Sequence, residues 1–146
     1  MNPYHTSQHL YYTLDSYLKQ QYHSKVFKVS LSGPFSCPNR DGSIGTGGCL
    51  FCSEKASGEF AGDRQDSLKT QFEQGKALLH QKWKDAKYIV YFQANTNTYA
   101  PLPILQALFE EAILLDPNIV AISIATRPDC LPLEVLEYLA LLNQKI

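Results

Sequence analysis

The sequence predicts a parallel α/β fold, and three observations carry that expectation. Short β-branched and aromatic runs alternate with segments of helical periodicity, in the order helix, then strand–helix three times. The last run, IVAISIA at residues 119–125, is apolar on both faces, which reads as a buried parallel strand. The first run is followed by an irregular stretch, residues 33–62, that holds most of the chain's glycines. A connection of that length inside a compact domain is usually functional. A barrel and an open doubly wound sheet both satisfy the pattern. In both, sites lie beyond the C-terminal ends of the strands.

Each element follows from its residues. Leu10, Tyr11, Leu14, Tyr17 and Leu18 recur at spacings of three and four, so residues 8–21 read as one short amphipathic helix. KVFKVSL, residues 25–31, is the first strand, stopped by Gly33-Pro34. Leu68, Phe72, Gly75, Leu79 and Trp83 share a helix face, with Asp66 or Ser67 as its cap. KYIVYFQ, residues 87–93, is the second strand. Pro103 opens the next helix, whose apolar face is Leu105, Leu108, Ala112 and Leu115. After the turn Asp116-Pro117-Asn118 comes the third strand, and Pro132 opens a last helix faced by Leu133, Leu136, Leu139 and Leu142.

Composition narrows the function classes. The 146 residues carry 13 Lys plus Arg against 14 Asp plus Glu, a formal net charge of -1. That balance excludes a histone-like, strongly basic nucleic-acid module. A hydrophobic fraction of 45% excludes disorder for the chain as a whole. No apolar run approaches the roughly 20 residues that span a bilayer. MNPYHTSQHL has neither a basic nor an apolar signal region, so the expectation is a cytoplasmic protein with no membrane contact.

In a reducing compartment the four cysteines are not expected to form disulfides. Cys37, Cys49 and Cys52 fall in FSCPNRDGSIGTGGCLFCS, spaced by eleven and then two residues. Thiolates in this pattern bind zinc or iron–sulfur. Closed zinc sites want four ligands, and three local ligands suit a cluster with one open iron. The glycines let the loop fold back and let backbone amides approach the sulfurs.

CPNRDG at 37–42, GTGGCLFC at 45–52, QANTNTYAP at 93–101 and ATRPDCLP at 125–132 stand in order on successive elements. Together they resemble the radical S-adenosylmethionine (radical SAM) enzymes, in particular the YhcC/YtqA-type branch, a relative of the Elongator catalytic subunit. The eleven-residue gap departs from the superfamily's common three-residue gap, a departure that this branch shares. The resemblance implies a partial TIM barrel of parallel βα units, of which about three are present. It divides the chain into an N-terminal helical segment, residues 1–24, and the N-terminal half of a radical SAM core, residues 25–146. The thiolates of Cys37, Cys49 and Cys52 would hold three irons of a 4Fe-4S cluster, and SAM would chelate the fourth. One electron then breaks the sulfonium C–S bond, giving methionine and a 5′-deoxyadenosyl radical that takes hydrogen from substrate.

By the same resemblance Phe51 lies near the cluster and the adenine. Gln93, Asn95 and Thr96 occupy the position that meets the methionine amino group, in place of the family's Gly-Gly-Glu. Asn97, Tyr99, Arg127 and Cys130 are candidate substrate or SAM contacts, and no catalytic residue is singled out. The implied partners are SAM, an electron donor such as flavodoxin or ferredoxin, and tRNA as the substrate of wobble-uridine modification. The missing later βα units imply a truncated chain with an open third strand, inactive alone and prone to dimerise or aggregate through that edge.

Plainer readings stand beside these. A zinc-binding RNA or protein-interaction module, and a simple iron–sulfur electron carrier, are the rival functions. Arg127 reads equally as a loop salt bridge, Cys130 as a small buried residue, and Asn95 and Asn97 as turn residues. Arg40 and Asp41 read as residues that fix the cysteine loop. His5, His9, His23 and His80 read as surface residues and Trp83 as core. Tyr4, Tyr11, Tyr12, Tyr17 and Tyr22 offer rings for base stacking, but packing of their helix against the core is the favoured reading.

Overall fold

The structure, a computed structural model, describes residues 11–80 and 85–146, without the side chains of residues 79 and 80. The expectations for Tyr4, His5, His9, Leu10 and Trp83, and for the side chains of Leu79 and His80, lie outside the described residues. The elements run α1 (Leu14–Tyr22), β1 (Val26–Leu31), α2 (Leu68–His80), β2 (Lys87–Phe92), α3 (Leu102–Ile113), β3 (Ile119–Ile124), a 3-10 turn (Pro128–Cys130) and α4 (Leu133–Leu142). The strands form one parallel sheet in the order β1-β2-β3. Parallel neighbours need crossovers, and α2 and α3 supply them.

Strand alternation sends Val29 and Leu31 of β1, Tyr88, Val90 and Phe92 of β2, and Ile119 of β3 to one face. There they join Leu68 and Phe72 of α2, Leu105, Phe109 and Ala112 of α3, and Val135, Tyr138 and Leu142 of α4 in a single cluster. Aromatic edges order it: Phe92 and Phe109 have ring centroids 5.3 Å apart, and Phe35 meets both. The other face carries Lys28, which is exposed, and Ser30, Tyr91, Ala121 and Ser123, which are half-buried. Lys28 sets its ammonium 4.5 Å from the centroid of the Tyr91 ring.

Gly75 allows α2 to lie close on β1, since a Cβ there would stand 2.7 Å from Val29 Cγ1. Ser67 caps α2, its hydroxyl accepting the Thr70 N–H at 3.1 Å. The fully buried Gln71 fixes the chain beyond β1: its Oε1 accepts the Ser32 N–H at 2.7 Å and its Nε2 donates to the Ser32 carbonyl at 3.2 Å.

Four sequence expectations need correction. The first helix begins at Leu14 because the Thr13 hydroxyl caps it, accepting the Ser16 N–H at 3.0 Å. It buries none of its residues, and Leu14 and Tyr17 are exposed. It is attached by polar contacts instead: Asp15 pairs with Lys25, and the Tyr22 hydroxyl donates to the Val120 carbonyl at 3.1 Å. Val120 is an extra residue between the Tyr88–Ile119 and Ile89–Ala121 pairings, so its carbonyl needs that donor.

Strand β3 is half-buried beyond Ile119 rather than buried on both faces, and it stands at one edge of the sheet, as the expected open third strand has it. Helix α4 is polar only at Glu134 and Glu137, and periodicity found half of its core stripe: Leu142 is buried and Leu139 lies at the margin, but Val135 and Tyr138 face the core where Leu133 and Leu136 are exposed. In α3 the bulky Phe109 takes the central place, with Leu108 and Leu115 at the margin.

At the N-terminal end of the sheet, Lys76 of α2 pairs with Asp116, which precedes β3 and is 8% exposed. Burial alone would raise the Asp116 carboxyl, but Lys76 and the Asn118 N–H outweigh it and hold it below the ordinary 3.8. The Lys76 ammonium is raised by the same partner. A depressed carboxylate contributes stability above its unfolded pKa and loses it as pH falls through the folded one. Replacing Asp116→Asn should therefore cost about 2 kcal/mol at neutral pH. In denaturant titrations the gap from wild type should stay level down to about pH 4 and close below it.

Candidate metal and cofactor site

The site lies where the three parallel strands end. Beyond Leu31 the chain crosses the strand ends in a long loop before entering α2. Three structures inside that loop bring its parts together. After Cys37 a turn is closed by the N–H groups of Arg40 and Asp41, which donate to the Cys37 carbonyl at 2.7 and 3.1 Å. The Gly48 N–H then donates to the Asn39 carbonyl at 2.8 Å, and the Cys52 N–H to the Cys49 carbonyl at 3.0 Å. The Arg40 guanidinium ties down the far side by donating to the carbonyls of Ser53 and Glu54. It lies against Gly48, whose φ of +73° and missing side chain make the approach possible.

Cys37, Cys49 and Cys52 are half-buried free thiols. All three line one cavity of about 350 Å³, together with Gln93, Asn95 and Thr96 beyond β2 and Arg127 beyond β3. Small-molecule pockets are of this size. Phe51 also lines the cavity, although its ring is 87% exposed. Ala56, Ser57 and Asn95 form part of the same wall, and all three hold a left-handed backbone, with φ of 51°, 66° and 66°. Non-glycine residues adopt that conformation at a cost, and such strain gathers at functional sites.

Every sulfur has a donor beside it. Asn39 Nδ2 donates to Cys49 Sγ at 2.9 Å, and the Ser57 hydroxyl stands 4.0 Å from Cys52 Sγ. Burial raises the Cys37 thiol, yet the Thr96 hydroxyl, the Asn39 N–H and the Arg127 guanidinium together bring it below its ordinary value. Cys130 is different: burial, then the Asp129 carboxylate, pushes its thiol up. Among the described residues no three His, Cys, Asp or Glu side chains are placed to hold a metal ion.

The remaining sequence candidates fall into two groups. Arg127 both lines the cavity and forms a two-bond ion pair with Asp129, Nε–Oδ1 at 2.9 Å and Nη2–Oδ2 at 2.7 Å. Asn97, Tyr99 and Cys130 do not line it. Asn97 is fully buried, and its Nδ2 joins the ends of β2 and β3 by donating to the carbonyls of Phe92 and Ala125 at 3.1 and 2.8 Å. The Tyr99 hydroxyl holds the cysteine loop through Ser43 Oγ at 2.9 Å. Cys130 is buried, and its carbonyl accepts the Thr98 hydroxyl. Arg40 and Asp41 fix the loop, Asp41 through the Ser43 N–H at 2.9 Å. Asn39, Ser57 and Tyr91 are site residues that sequence reasoning missed. Only Asn39 left a signal there, as a polar residue two places beyond a candidate ligand.

Comparison with known proteins finds relatives of this chain. The chain is 54% identical over 143 residues to the uncharacterized protein YtqA of Bacillus subtilis, covering 98% of this chain and 44% of that protein. It is 38% identical over 122 residues to the protein YhcC of Escherichia coli K12, covering 84% of this chain and 38% of that protein. It is 34% identical over 128 residues to an uncharacterized protein of Methanocaldococcus jannaschii, covering 85% of this chain and 37% of that protein. The first two bear the names of the branch that the loop motifs resemble. The chain spans less than half the length of these curated relatives. No protein-family model and no solved structure matches it. Among the described residues no helix is long and apolar enough to cross a membrane.

The loop's closure makes one glycine critical and its neighbour dispensable. Gly48→Ala forces a side chain into the left-handed region, roughly 1–2 kcal/mol, and puts a methyl 3.1 Å from the Arg40 guanidinium. Gly47→Ala meets nothing within 4 Å. Limited proteolysis should cut the loop of Gly48→Ala faster than that of wild type, and leave Gly47→Ala near wild type.

Proposed function

We propose that the cavity at the strand ends holds a 4Fe-4S cluster and SAM, and that the chain forms the cluster-bearing part of a radical SAM enzyme. The observation that carries this reading is the meeting of Cys37, Cys49 and Cys52 around one cavity with Gln93, Asn95, Thr96 and Arg127. The donor set fits the group. Thiolates are ligands for soft metals, and N–H and O–H groups beside each sulfur suit sulfur that stays anionic when ligated. Three thiols line the cavity and Cys130 does not, one short of the four ligands of a closed zinc site.

When bound, the cluster and SAM would supply a one-electron cleavage of the sulfonium and so a hydrogen-abstracting radical. The chain's own residues bind, orient and exclude water. Cys37, Cys49 and Cys52 are the ligands. Gln93, Asn95 and Thr96 present amide and hydroxyl groups to the amino-acid end of SAM. Arg127, aligned by Asp129, offers a fixed positive charge to a carboxylate. Phe51 and Tyr91 contribute apolar wall.

The sheet's one-sided helical cover supports a barrel. A parallel sheet is ordinarily covered on both faces, and the wall of a βα barrel has helices outside and a face of mixed side chains within. The face bearing Lys28, Ser30 and Tyr91 fits that inner role. The substrate we assign is tRNA, modified at the wobble uridine, with an electron donor of the flavodoxin or ferredoxin kind. Both assignments rest on the resemblance alone.

Anaerobic reconstitution should give a brown protein containing iron and acid-labile sulfide. Cys37→Ala, Cys49→Ala and Cys52→Ala should each lose most of the iron, while Cys130→Ala keeps it. A colourless zinc protein, or equal iron loss in Cys130→Ala, would sink the assignment. Reduction in the presence of SAM should release 5′-deoxyadenosine, and a cluster that cycles without consuming SAM would mark an electron carrier.

A further inference from the structure

Asn39 touches the site at two points, and it lies in the turn that the Arg40 and Asp41 N–H groups close on the Cys37 carbonyl. Its side-chain Nδ2 donates to Cys49 Sγ at 2.9 Å. Its carbonyl accepts the Gly48 N–H at 2.8 Å, on the residue next to Cys49. The turn is itself secured, because the neighbouring Pro38 carbonyl accepts the N–H groups of Ile44 and Gly45 at 2.9 and 3.2 Å. By contrast, the donor nearest Cys52 is the Ser57 hydroxyl at 4.0 Å. Asn39 is half-buried, and its amide bonds a sulfur directly.

We propose that Asn39 is a positioning residue for the thiol set. It joins the Cys37 and Cys49 halves of the loop, and its amide N–H raises the reduction potential of the cluster through the Cys49 sulfur. The inference rests on the cluster reading given above. A reduced cluster carries one more negative charge than an oxidised one, shared with its sulfurs. An N–H aimed at a ligating sulfur therefore favours the reduced form. Asn39→Ala removes the amide and keeps the backbone bond to Gly48, so it isolates the amide's effect. Asn39→Asp replaces the donor with a carboxylate, which opposes the added electron.

The test is a redox titration of the reconstituted protein followed by electron paramagnetic resonance, with iron and sulfide measured on each sample. Asn39→Ala should hold wild-type iron and move to a more negative midpoint. The expected shift corresponds to about a tenfold change in the reduction equilibrium, about 59 mV for one electron. Asn39→Asp should move further in the same direction. Asp41→Ala loosens the same loop without touching a sulfur, and should keep the wild-type midpoint. Unchanged midpoints in both Asn39 variants, or an equal shift in Asp41→Ala, would overturn the inference while leaving the cluster reading in place. A wild-type protein that assembles no iron–sulfur group would instead remove the cluster reading itself. Should Asn39→Ala fail to assemble, Asn39→Ser restores a short donor and must regain iron. Failure there too, in a protein with wild-type circular dichroism, overturns the donor role.

Discussion

The Arg40 guanidinium closes the loop on which the whole site depends. It reaches across to the carbonyls of Ser53 and Glu54, passing Gly48 where no side chain stands in the way. Cys37 lies on one side of that closure, and Cys49 and Cys52 on the other. Ordering a segment this long carries a large entropic cost, on the order of 1–2 kcal/mol per residue. Local bonds alone do not offset it, so the loop is also anchored outward. Tyr99 holds it at Ser43, the Gly62 N–H reaches the Ser30 carbonyl, and Gln71 fixes its first residues against α2.

These anchors act because the strands beneath are parallel and in register. Leu31 pairs with Phe92, and Phe92 with Ile124, so the three strands end side by side. Asn97 then ties the ends of β2 and β3 through two carbonyls, which leaves its own Oδ1 buried without a partner. An unsatisfied buried acceptor costs free energy. It marks the place where the chain accepts a local penalty to hold its strand ends, directly under the loops that line the cavity.

Charge is arranged with equal economy. Arg127 is committed to Asp129 by two bonds, yet it still acts on the Cys37 thiol. A guanidinium has donors enough for both, which an ammonium with its rotating point charge would not align as well. Cys130 stands in the same electrostatic neighbourhood but behind the cavity wall, where burial and Asp129 keep its proton on.

Much of this was legible in the chain alone. Alternating runs and their stop signals located the strands to within a residue, because a strand buried against helices must be written in β-branched and aromatic side chains. The spacing of Cys37, Cys49 and Cys52, placed after the first strand, pointed to the end of the sheet where the cavity lies, since the loops that follow parallel strands meet at one end. What sequence could not decide were contacts between distant segments. Periodicity cannot choose between neighbouring stripes of α4 when only Glu134 and Glu137 break its apolar surface. Asn97 and Tyr99 looked like ligand contacts and became structural ties, because hydrogen-bond partners 28 and 56 residues away are supplied only by the folded chain. Asn39 was placed the same way: the sequence determined that a polar side chain follows Cys37, and the returning loop decided that the Cys49 sulfur meets it.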